Sequence, residues 1–169
     1  MPDIHRKWGH RWLTPKARVK NSSIQGIGTF AKKKINKNEV VVVLGGIIVP
    51  TSERQEYIYL VGPFGHQISK DFFICPSSRK ELKRIGTFNH SCNPNMGYQD
   101  LLTGVAIKNI NQGEEIVLDY SFYETSLKSF ECNCSSINCR RIIKPTDWKN
   151  KKLQKKYGKY FSPYLREKF

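Results

Sequence analysis

Three cysteines within eight residues constrain this chain more than any other feature of its sequence. Cys132 and Cys134 are separated by one residue, and Cys139 follows after four more. Thiolates at this spacing can converge on one ion, and zinc in structural sites takes four ligands in a tetrahedron. A disulfide is the weaker interpretation, because cysteines this close in sequence pair poorly and no secretory signal is present. The spacing therefore predicts a zinc site whose fourth ligand comes from elsewhere.

Two further cysteines compete for the fourth position. Cys75 stands in an apolar run and is typical of an ordinary buried thiol, whereas Cys92 lies in the polar, turn-rich loop 89–95. We predict Cys92 as the ligand, so that metal and loop order each other. Another interpretation makes Cys92 a nucleophile with His90 as its base. It is less favoured, because residues two apart in a turn rarely face each other and no acidic partner is evident.

Short β-branched runs between turn signals predict a mostly β fold with few short helices. A helix is predicted over 78–84, where Ser78 and Glu81 have the spacing of a capping box. The predicted strands cover residues 17–20, 29–31, 40–44, 47–49, 57–61, 72–75, 105–108 and 115–120.

The C-terminal stretch changes character and predicts two further helices. Asp147 can cap a helix that runs through Tyr157, and Ser162 with Pro163 can begin another. An apolar stripe on this segment predicts packing against the core; it consists of Leu153, Tyr157, Tyr160, Phe161 and Tyr164.

The charge of +15 on 169 residues is unevenly distributed. Residues 1–38 and 132–169 each carry +9, whereas residues 39–131 carry −3. Basic ends indicate contact with nucleic acid or another polyanion, and solvated surface charge is the equally weighted alternative. The acidic middle leaves room for a basic substrate peptide, which a uniformly basic protein would repel.

Length and hydropathy limit the class of protein. A chain of 169 residues is expected to form one domain with tails. The longest apolar stretch, residues 40–50, is interrupted by two glycines and is far short of the roughly 20 residues that a membrane span needs. Residues 1–10 lack the apolar segment of a secretory signal, so an intracellular protein is expected and no membrane partner.

Five segments, in order, resemble the SET domain of protein-lysine methyltransferases. They are residues 26–31, Gly45-Gly46, residues 88–95, residues 110–120, and the three clustered cysteines preceded by Phe130. The resemblance covers about residues 17–142 and implies a β-clip fold of small curved sheets, knot-like C-terminal threading and a post-SET zinc loop. The tail is similar to that of small stand-alone bacterial-type SET proteins.

The resemblance divides the chain into four parts. We expect a basic N-terminal tail over 1–16, the SET domain over 17–124, the post-SET zinc loop over 125–142 and a basic helical segment over 143–169. It also implies S-adenosylmethionine as cofactor beside the zinc. The implied cofactor contacts are Gly26, Ile27, Gly28, Asn89, His90 and Phe130. For Phe130, packing on the zinc loop is the alternative.

Tyr120 is predicted to be the catalytic residue. A lysine amine with a pKa of about 10.4 must lose its proton before it attacks a methyl group, and a buried tyrosine hydroxyl can orient that amine. Two positions depart from the family pattern, because Leu44 and Leu118 stand where many members have aromatic residues. We predict that Tyr98 supplies the missing hydroxyl and limits the product to one methyl group; the alternative is a surface strand tyrosine.

The predicted function is transfer of methyl groups to lysine in a basic protein bound to nucleic acid, such as a histone, a nucleoid protein or a ribosomal protein. The alternative is a catalytically silent SET domain that acts as a zinc-stabilised binding module on nucleic acid or chromatin. The basic ends and the two leucines favour that alternative. Binding of S-adenosylmethionine discriminates between them, because a silent module has no need of it.

Overall fold

A computed structural model describes residues 9–169. The first half of the predicted N-terminal tail, residues 1–8, lies outside the described residues. The strands are β1 (Trp12–Leu13), β2 (Ala17–Asn21), β3 (Ile27–Ala31), β4 (Val40–Val43), β5 (Ile47–Pro50), β6 (His66–Gln67), β7 (Phe72–Cys75), β8 (Asn89–His90), β9 (Met96–Tyr98), β10 (Thr103–Ala106), β11 (Glu115–Leu118), β12 (Phe130–Glu131) and β13 (Ile142–Ile143).

Four short α-helices accompany these strands within residues 9–169. They are α1 (Arg54–Leu60), α2 (Arg79–Ile85), α3 (Lys151–Tyr157) and α4 (Pro163–Arg166). Single 3-10 turns cover Thr51–Glu53, Tyr120–Phe122, Asp147–Lys149 and Gly158–Tyr160. The prediction of a mostly β fold with few short helices is confirmed. No helix among the described residues is long and apolar enough to cross a membrane.

The largest sheet has the order β1-β4-β10-β9-β11-β3-β2, with β8 also paired to β11. β11 runs parallel to β8 and β9, which are the two arms of the loop 89–98. The end of β11 is thereby held against the polar loop that contains Cys92. The knot-like threading itself stays a prediction. Fully buried apolar side chains fill the sheet's core, among them Ile35, Val41, Met96, Ile110, Ile116 and Phe122.

A second, three-stranded sheet has the order β5-β7-β6 and carries α1. Its own small core contains Val49, Tyr57, Phe73 and Cys75. A two-stranded sheet of β12 and β13 closes the segment that holds the clustered cysteines. The largest sheet and the two-stranded sheet thus meet at the polar loop 89–95, where His90 contacts Phe130.

The prediction of a strand over 57–61 is wrong. Residues 54–60 form α1, in which Arg54 and Tyr57 are buried one turn apart, whereas Tyr59 and Leu60 are largely exposed. Buried positions three residues apart lie on one face of a helix. Packing of this face against the small core overrides the β preference of the aromatic and branched residues. Likewise β10 lies two residues before its predicted position, and β11 ends at Leu118.

The helix caps differ from their predictions in detail. α2 forms as predicted, but Glu81 accepts hydrogen bonds from Ser77, and Ser78 makes no side-chain cap. Asp147 begins a 3-10 turn, and Asn150 caps α3 by accepting from the amides of residues 152 and 153. The carboxylate of Asp147 is engaged by Arg140 instead.

The C-terminal apolar stripe packs into the core as predicted. Tyr157 and Phe161 are buried in the main cluster, and Leu153, Tyr160 and Tyr164 pack against it half-buried. At the other end, β1 pairs with β4 through residues 12 and 13. The sheet therefore begins before residue 17, where the sequence placed the boundary of the domain.

Candidate functional site

Four cysteine sulfurs meet at the junction of loop 89–95 and the post-SET segment. The Sγ atoms of Cys92, Cys132, Cys134 and Cys139 all lie within 4.8 Å of one another, and no cysteine is in a disulfide. With zinc–sulfur bonds of about 2.3 Å, a tetrahedral site needs sulfurs roughly 4 Å apart. The four sulfurs therefore match the size and the ligand set of a structural zinc site.

Backbone amides point at these sulfurs and favour their ionised form. The amide of Cys92 donates to Cys134 at 3.5 Å, and those of Arg140 and Arg141 donate to Cys92 and Cys139 at 3.3 Å. Burial opposes ionisation of Cys134, but the hydroxyl of Ser136 and the amides outweigh it and lower its pKa to about 6. Thiolates are the form in which cysteine binds metal.

Cys75 lies outside this cluster, fully buried in the small core, as predicted for an ordinary thiol. The geometric argument against a His90–Cys92 pair was wrong, because His90 Nε2 lies 3.4 Å from Cys92 Sγ. The Cys92 sulfur nevertheless lies within 4.8 Å of three other cysteine sulfurs, which suits a metal ligand better than a free nucleophile. The contact instead connects the loop's histidine to the sulfur cluster.

A narrow cleft opens beside the sulfur cluster. Its lining comes from residues 24 and 25, from the loop histidine, from the 3-10 turn after β11 and from the post-SET segment: Ile24, Gln25, His90, Tyr120, Phe130, Glu131, Cys132 and Asn133. The rings of His90, Tyr120 and Phe130 meet edge-on or tilted, with centroids 5.2 to 5.9 Å apart. Three of the residues predicted for catalysis and cofactor binding therefore surround one cleft, together with the predicted zinc ligand Cys132.

The predicted glycine segment is held in place by Asn89 and Glu115. Asn89 Nδ2 donates to the carbonyls of Gln25 and Ile27, both at 3.2 Å, and to the Glu115 carboxylate at 2.8 Å. A Cβ at Gly28 would lie 2.1 Å from that carboxylate, so a larger residue there would displace the Glu115 side chain from Asn89. Gly26 adopts a left-handed φ of 51°. The Asn89 amide thus orients the segment, while residues 24 and 25 line the cleft itself.

Tyr120 stands at the point where β11 turns into a 3-10 helix. Its backbone amide donates to His90 Nδ1 at 3.2 Å, and its hydroxyl donates to the Phe88 carbonyl at 3.1 Å. Burial, together with the Glu124 and Glu115 carboxylates, raises the pKa of Tyr120, so the hydroxyl stays protonated. It is available as a neutral hydrogen-bonding group at one end of the cleft.

A row of aromatic rings leads away from Tyr120 to residues that do not line the cleft. The ring centroid of Tyr123 lies 5.8 Å from that of Tyr120 and 5.9 Å from that of Tyr98. The imidazole centroid of His66 lies 4.5 Å from the ring of Tyr98 and 5.2 Å from the ring of Tyr123. Tyr98 is 3% exposed, so its interpretation as a surface tyrosine is wrong. Leu118 and Leu44 are also buried. Tyr123 and His66 were missed because neither belongs to a spaced motif.

The profile of the SET domain family matches residues 26–121, which is more than half of the chain. The chain belongs to the SET-domain family. Its sequence is 29% identical over 136 residues to human histone-lysine N-methyltransferase 2B, and 30% identical over 141 residues to the H3 lysine-36 specific histone-lysine N-methyltransferase of Candida albicans. These matches cover 74% and 76% of this SET protein but only 5% and 16% of the relatives.

Solved SET-domain structures share the fold. The structure of KRYPTONITE in complex with mCHG DNA and SAH has a TM-score of 0.58 at 24% identity, and covers 77% of this chain and 29% of that one. The methyltransferase domain of human SETMAR has a TM-score of 0.55 at 22% identity, and covers 76% and 58%. At these identities the likeness establishes the fold.

One ion pair of this SET domain had no signal in the sequence. Arg140, directly after the last clustered cysteine, donates from both terminal nitrogens to the Asp119 carboxylate at 2.6 and 2.8 Å. Asp119 is fully buried and precedes Tyr120, and it also accepts from Ser121. Arg140 reaches Asp147 as well, at 3.0 Å. The guanidinium thus joins the zinc loop, the 3-10 turn and the C-terminal segment.

Proposed function

We propose that this chain is an S-adenosylmethionine-dependent protein-lysine N-methyltransferase. The observation that carries the proposal is the meeting of His90, Tyr120 and Phe130 at one cleft, next to four convergent thiols, in a member of the SET family. The names of the relatives agree with this activity, and one structural neighbour is a complex with SAH and an H3(1-15) peptide.

The residues around the cleft suit the two ends of the proposed cofactor. Phe130 offers a face for an adenine ring, and the backbone of residues 24–28 together with His90 offers polar contacts for the amino-acid part. The cleft encloses only about 20 Å³ of free space, room for a single water. Binding of the cofactor therefore requires side chains that line the cleft to shift, while the zinc that we infer would hold Cys132 to Cys92 of loop 89–95.

When bound, S-adenosylmethionine supplies an activated methyl group. The chain's own contribution is to bring a lysine amine into line with that group and to favour its neutral form. The row formed by Tyr120, Tyr123 and Tyr98 provides an apolar wall, and burial beside such rings lowers the pKa of an amine. The protonated Tyr120 hydroxyl can then hydrogen-bond the amine. For each N–C bond formed, one S–C bond of the sulfonium breaks, S-adenosylhomocysteine leaves, and the proton of the lysine ammonium is released.

We infer that zinc occupies the site of Cys92, Cys132, Cys134 and Cys139. Four cysteine sulfurs, amide donors to three of them and a spread of at most 4.8 Å support this assignment. Since the ligands come from two distant parts of the chain, the ion would fix the wall of the cleft that carries Phe130.

The substrate that we propose is a lysine-rich protein that resides on nucleic acid, such as a histone, a nucleoid protein or a ribosomal protein. Exposed lysines on and beside α3 supply a basic face for the nucleic acid; they are Lys149, Lys151, Lys152, Lys155, Lys156 and Lys159. The segment 39–131, with a charge of −3, contains Tyr120 and its neighbours and accepts a basic peptide more readily than the ends. Such nucleic-acid contact weakens with salt.

A silent SET domain that binds chromatin or nucleic acid is the second candidate. Leu44 and Leu118 favour it, because both are buried where hydroxyls would otherwise be available. The test is incubation with labelled S-adenosylmethionine and core histones, with Tyr120→Phe as the variant. We expect label on lysine with wild-type protein, at least a tenfold loss in the variant and unchanged cofactor affinity. Tight salt-dependent binding of DNA without cofactor binding would favour the silent module.

A further inference from the structure

His66 is a buried polar residue that the proposed mechanism has so far not used. It stands at the start of β6 in the three-stranded sheet, is 2% exposed and stacks on Tyr123 with an interplanar angle of 23°. Its second neighbour is Tyr98, at 4.5 Å. Through Tyr123 the imidazole is two ring contacts from Tyr120. His66 therefore belongs to the same row of rings as Tyr120.

Neither ring nitrogen of His66 has a hydrogen-bond partner among the described residues. The Leu101 backbone lies near enough to act on its pKa, but not in hydrogen-bond geometry. Buried polar atoms are normally paired, and leaving them unpaired lowers stability. A histidine kept at such a position needs a reason that the folded chain alone does not provide.

Arg54 is the other buried side chain in this sheet with unpaired nitrogens, but it is compensated. Its guanidinium lies over the rings of Phe73 and Tyr57, with centroids at 4.7 and 5.3 Å. Cation–π attraction of this kind stabilises a buried cation. The ring contacts of His66 are with two tyrosines, and neither tyrosine offers its nitrogens a hydrogen bond. The unpaired imidazole is thus the stronger indication of a missing ligand.

The imidazole is also in the right form to accept a hydrogen bond. Burial, and next the positive charge of Arg11, lower the pKa of His66 to about 3. At neutral pH the ring therefore carries one proton and presents one acceptor and one donor nitrogen. A lysine amine, or a water that solvates it, can donate to such an acceptor.

We propose that His66 is a hydrogen-bonding wall of the substrate channel, which holds the target amine through one imidazole nitrogen, directly or through a single water. This inference rests on the proposed function. It adds a polar group to the row of rings at Tyr98 and Tyr123, whereas the buried Leu44 and Leu118 carry none. In this proposal His66 determines specificity for the lysine amine, whereas Tyr120 remains the catalytic residue at the cleft.

The test uses n-butylamine, which is a lysine side chain without its backbone, as the probe. The imidazole nitrogens of ¹⁵N-labelled protein are followed by NMR while n-butylamine is added. We expect a saturable shift of one His66 nitrogen, and an affinity about three- to tenfold weaker in His66→Phe, the loss of one hydrogen bond. His66→Gln, which keeps an acceptor, should restore part of the affinity. An absent shift, or equal affinity in His66→Phe, overturns the proposal.

Stability separates this role from a structural one. His66→Phe keeps the ring but removes the unpaired nitrogens, so its Tm should equal or exceed that of the wild type. Ile74→Val, at the paired position on β7, is the control for disturbing this sheet. A Tm for His66→Phe well below that of Ile74→Val would mean that His66 is structural. Because n-butylamine binding needs no methyl transfer, a wild type that binds the amine but transfers no methyl group would refute only the proposed function.

Discussion

Replacing Arg140 by Gln should separate the zinc loop from the turn that positions Tyr120. Arg140 makes two charged hydrogen bonds to Asp119, whose carboxylate is fully buried. Without the guanidinium, that carboxylate keeps only its bonds from Ser121. Losing one partner of a buried pair costs about 3–5 kcal/mol. Because the Arg140 side chain is 17% exposed and water can take part of its place, we expect about 3 kcal/mol.

Thermal unfolding with saturating zinc measures this change. A loss of about 3 kcal/mol should lower Tm by roughly 6 to 12 °C for a chain of this size. Asp147→Asn is the matched control, because it removes the charge of the carboxylate that accepts a single hydrogen bond from the same guanidinium. This substitution should lower the free energy of unfolding by about 1 kcal/mol. In Asp119→Asn/Arg140→Gln no buried charge is left unpaired, so part of the stability should return. A Tm for Arg140→Gln no lower than for Asp147→Asn, with zinc retained, would refute the reasoning.

Two further predictions concern the metal and the product. Cys92→Ser should release the zinc and weaken cofactor binding, whereas Cys75→Ser should leave one zinc per chain. Metal analysis of both purified variants measures this. Zinc retained in Cys92→Ser would mean that the fourth ligand is a different residue. Tyr98→Phe should shift products from monomethyl-lysine toward di- and trimethyl-lysine by severalfold, because one hydrogen bond of about 1 kcal/mol is removed. Mass spectrometry measures the ratio of the products. Wild-type protein that already makes trimethyl-lysine readily would contradict the prediction.

The sequence predicted the parts of the site that depend on spacing. Cysteines at fixed intervals and the crowded polar loop 89–95 are local patterns, and the structure brings Cys92 to the other three sulfurs. The same holds for His90, Tyr120 and Phe130, which meet at one cleft although His90 and Phe130 are 40 positions apart. Their roles remain proposals, but their proximity follows from segments that occur in a fixed order.

Features that depend on packing had no such signal. α1 was predicted as a strand, because its composition favours β structure and only tertiary contact shows that Arg54 and Tyr57 face the same core. Arg140 and Asp119 lie 21 residues apart in the sequence, so their pairing appears only when the post-SET segment folds back. The motif identified Asn89, but only the structure shows that its side-chain amide donates to the carbonyls of Gln25 and Ile27 and so orients the glycine segment.

The pH dependence of stability tests the environment of His66 without any ligand. Its pKa falls from 6.5 to about 3 on folding, so between these values the unfolded chain binds a proton that the folded chain does not. The contribution of the neutral His66 imidazole to the free energy of unfolding is therefore fully present above pH 6.5 and is lost as the pH falls toward 3. From pH 7 to pH 5 the loss should be about 2 kcal/mol. Arg11 contributes to the effect, and the contacting rings of Tyr98 and Tyr123 are uncharged there.

His66→Phe removes this proton uptake, while the other titrating groups remain. The difference in unfolding free energy between variant and wild type should then grow by about 2 kcal/mol in favour of the variant between pH 7 and pH 5. Urea denaturation at the two pH values measures both proteins, and Ile74→Val serves again as the control with a constant difference. A difference that stays constant for His66→Phe would mean that the imidazole titrates as in water, and hence that it is neither desolvated nor held neutral in the channel wall.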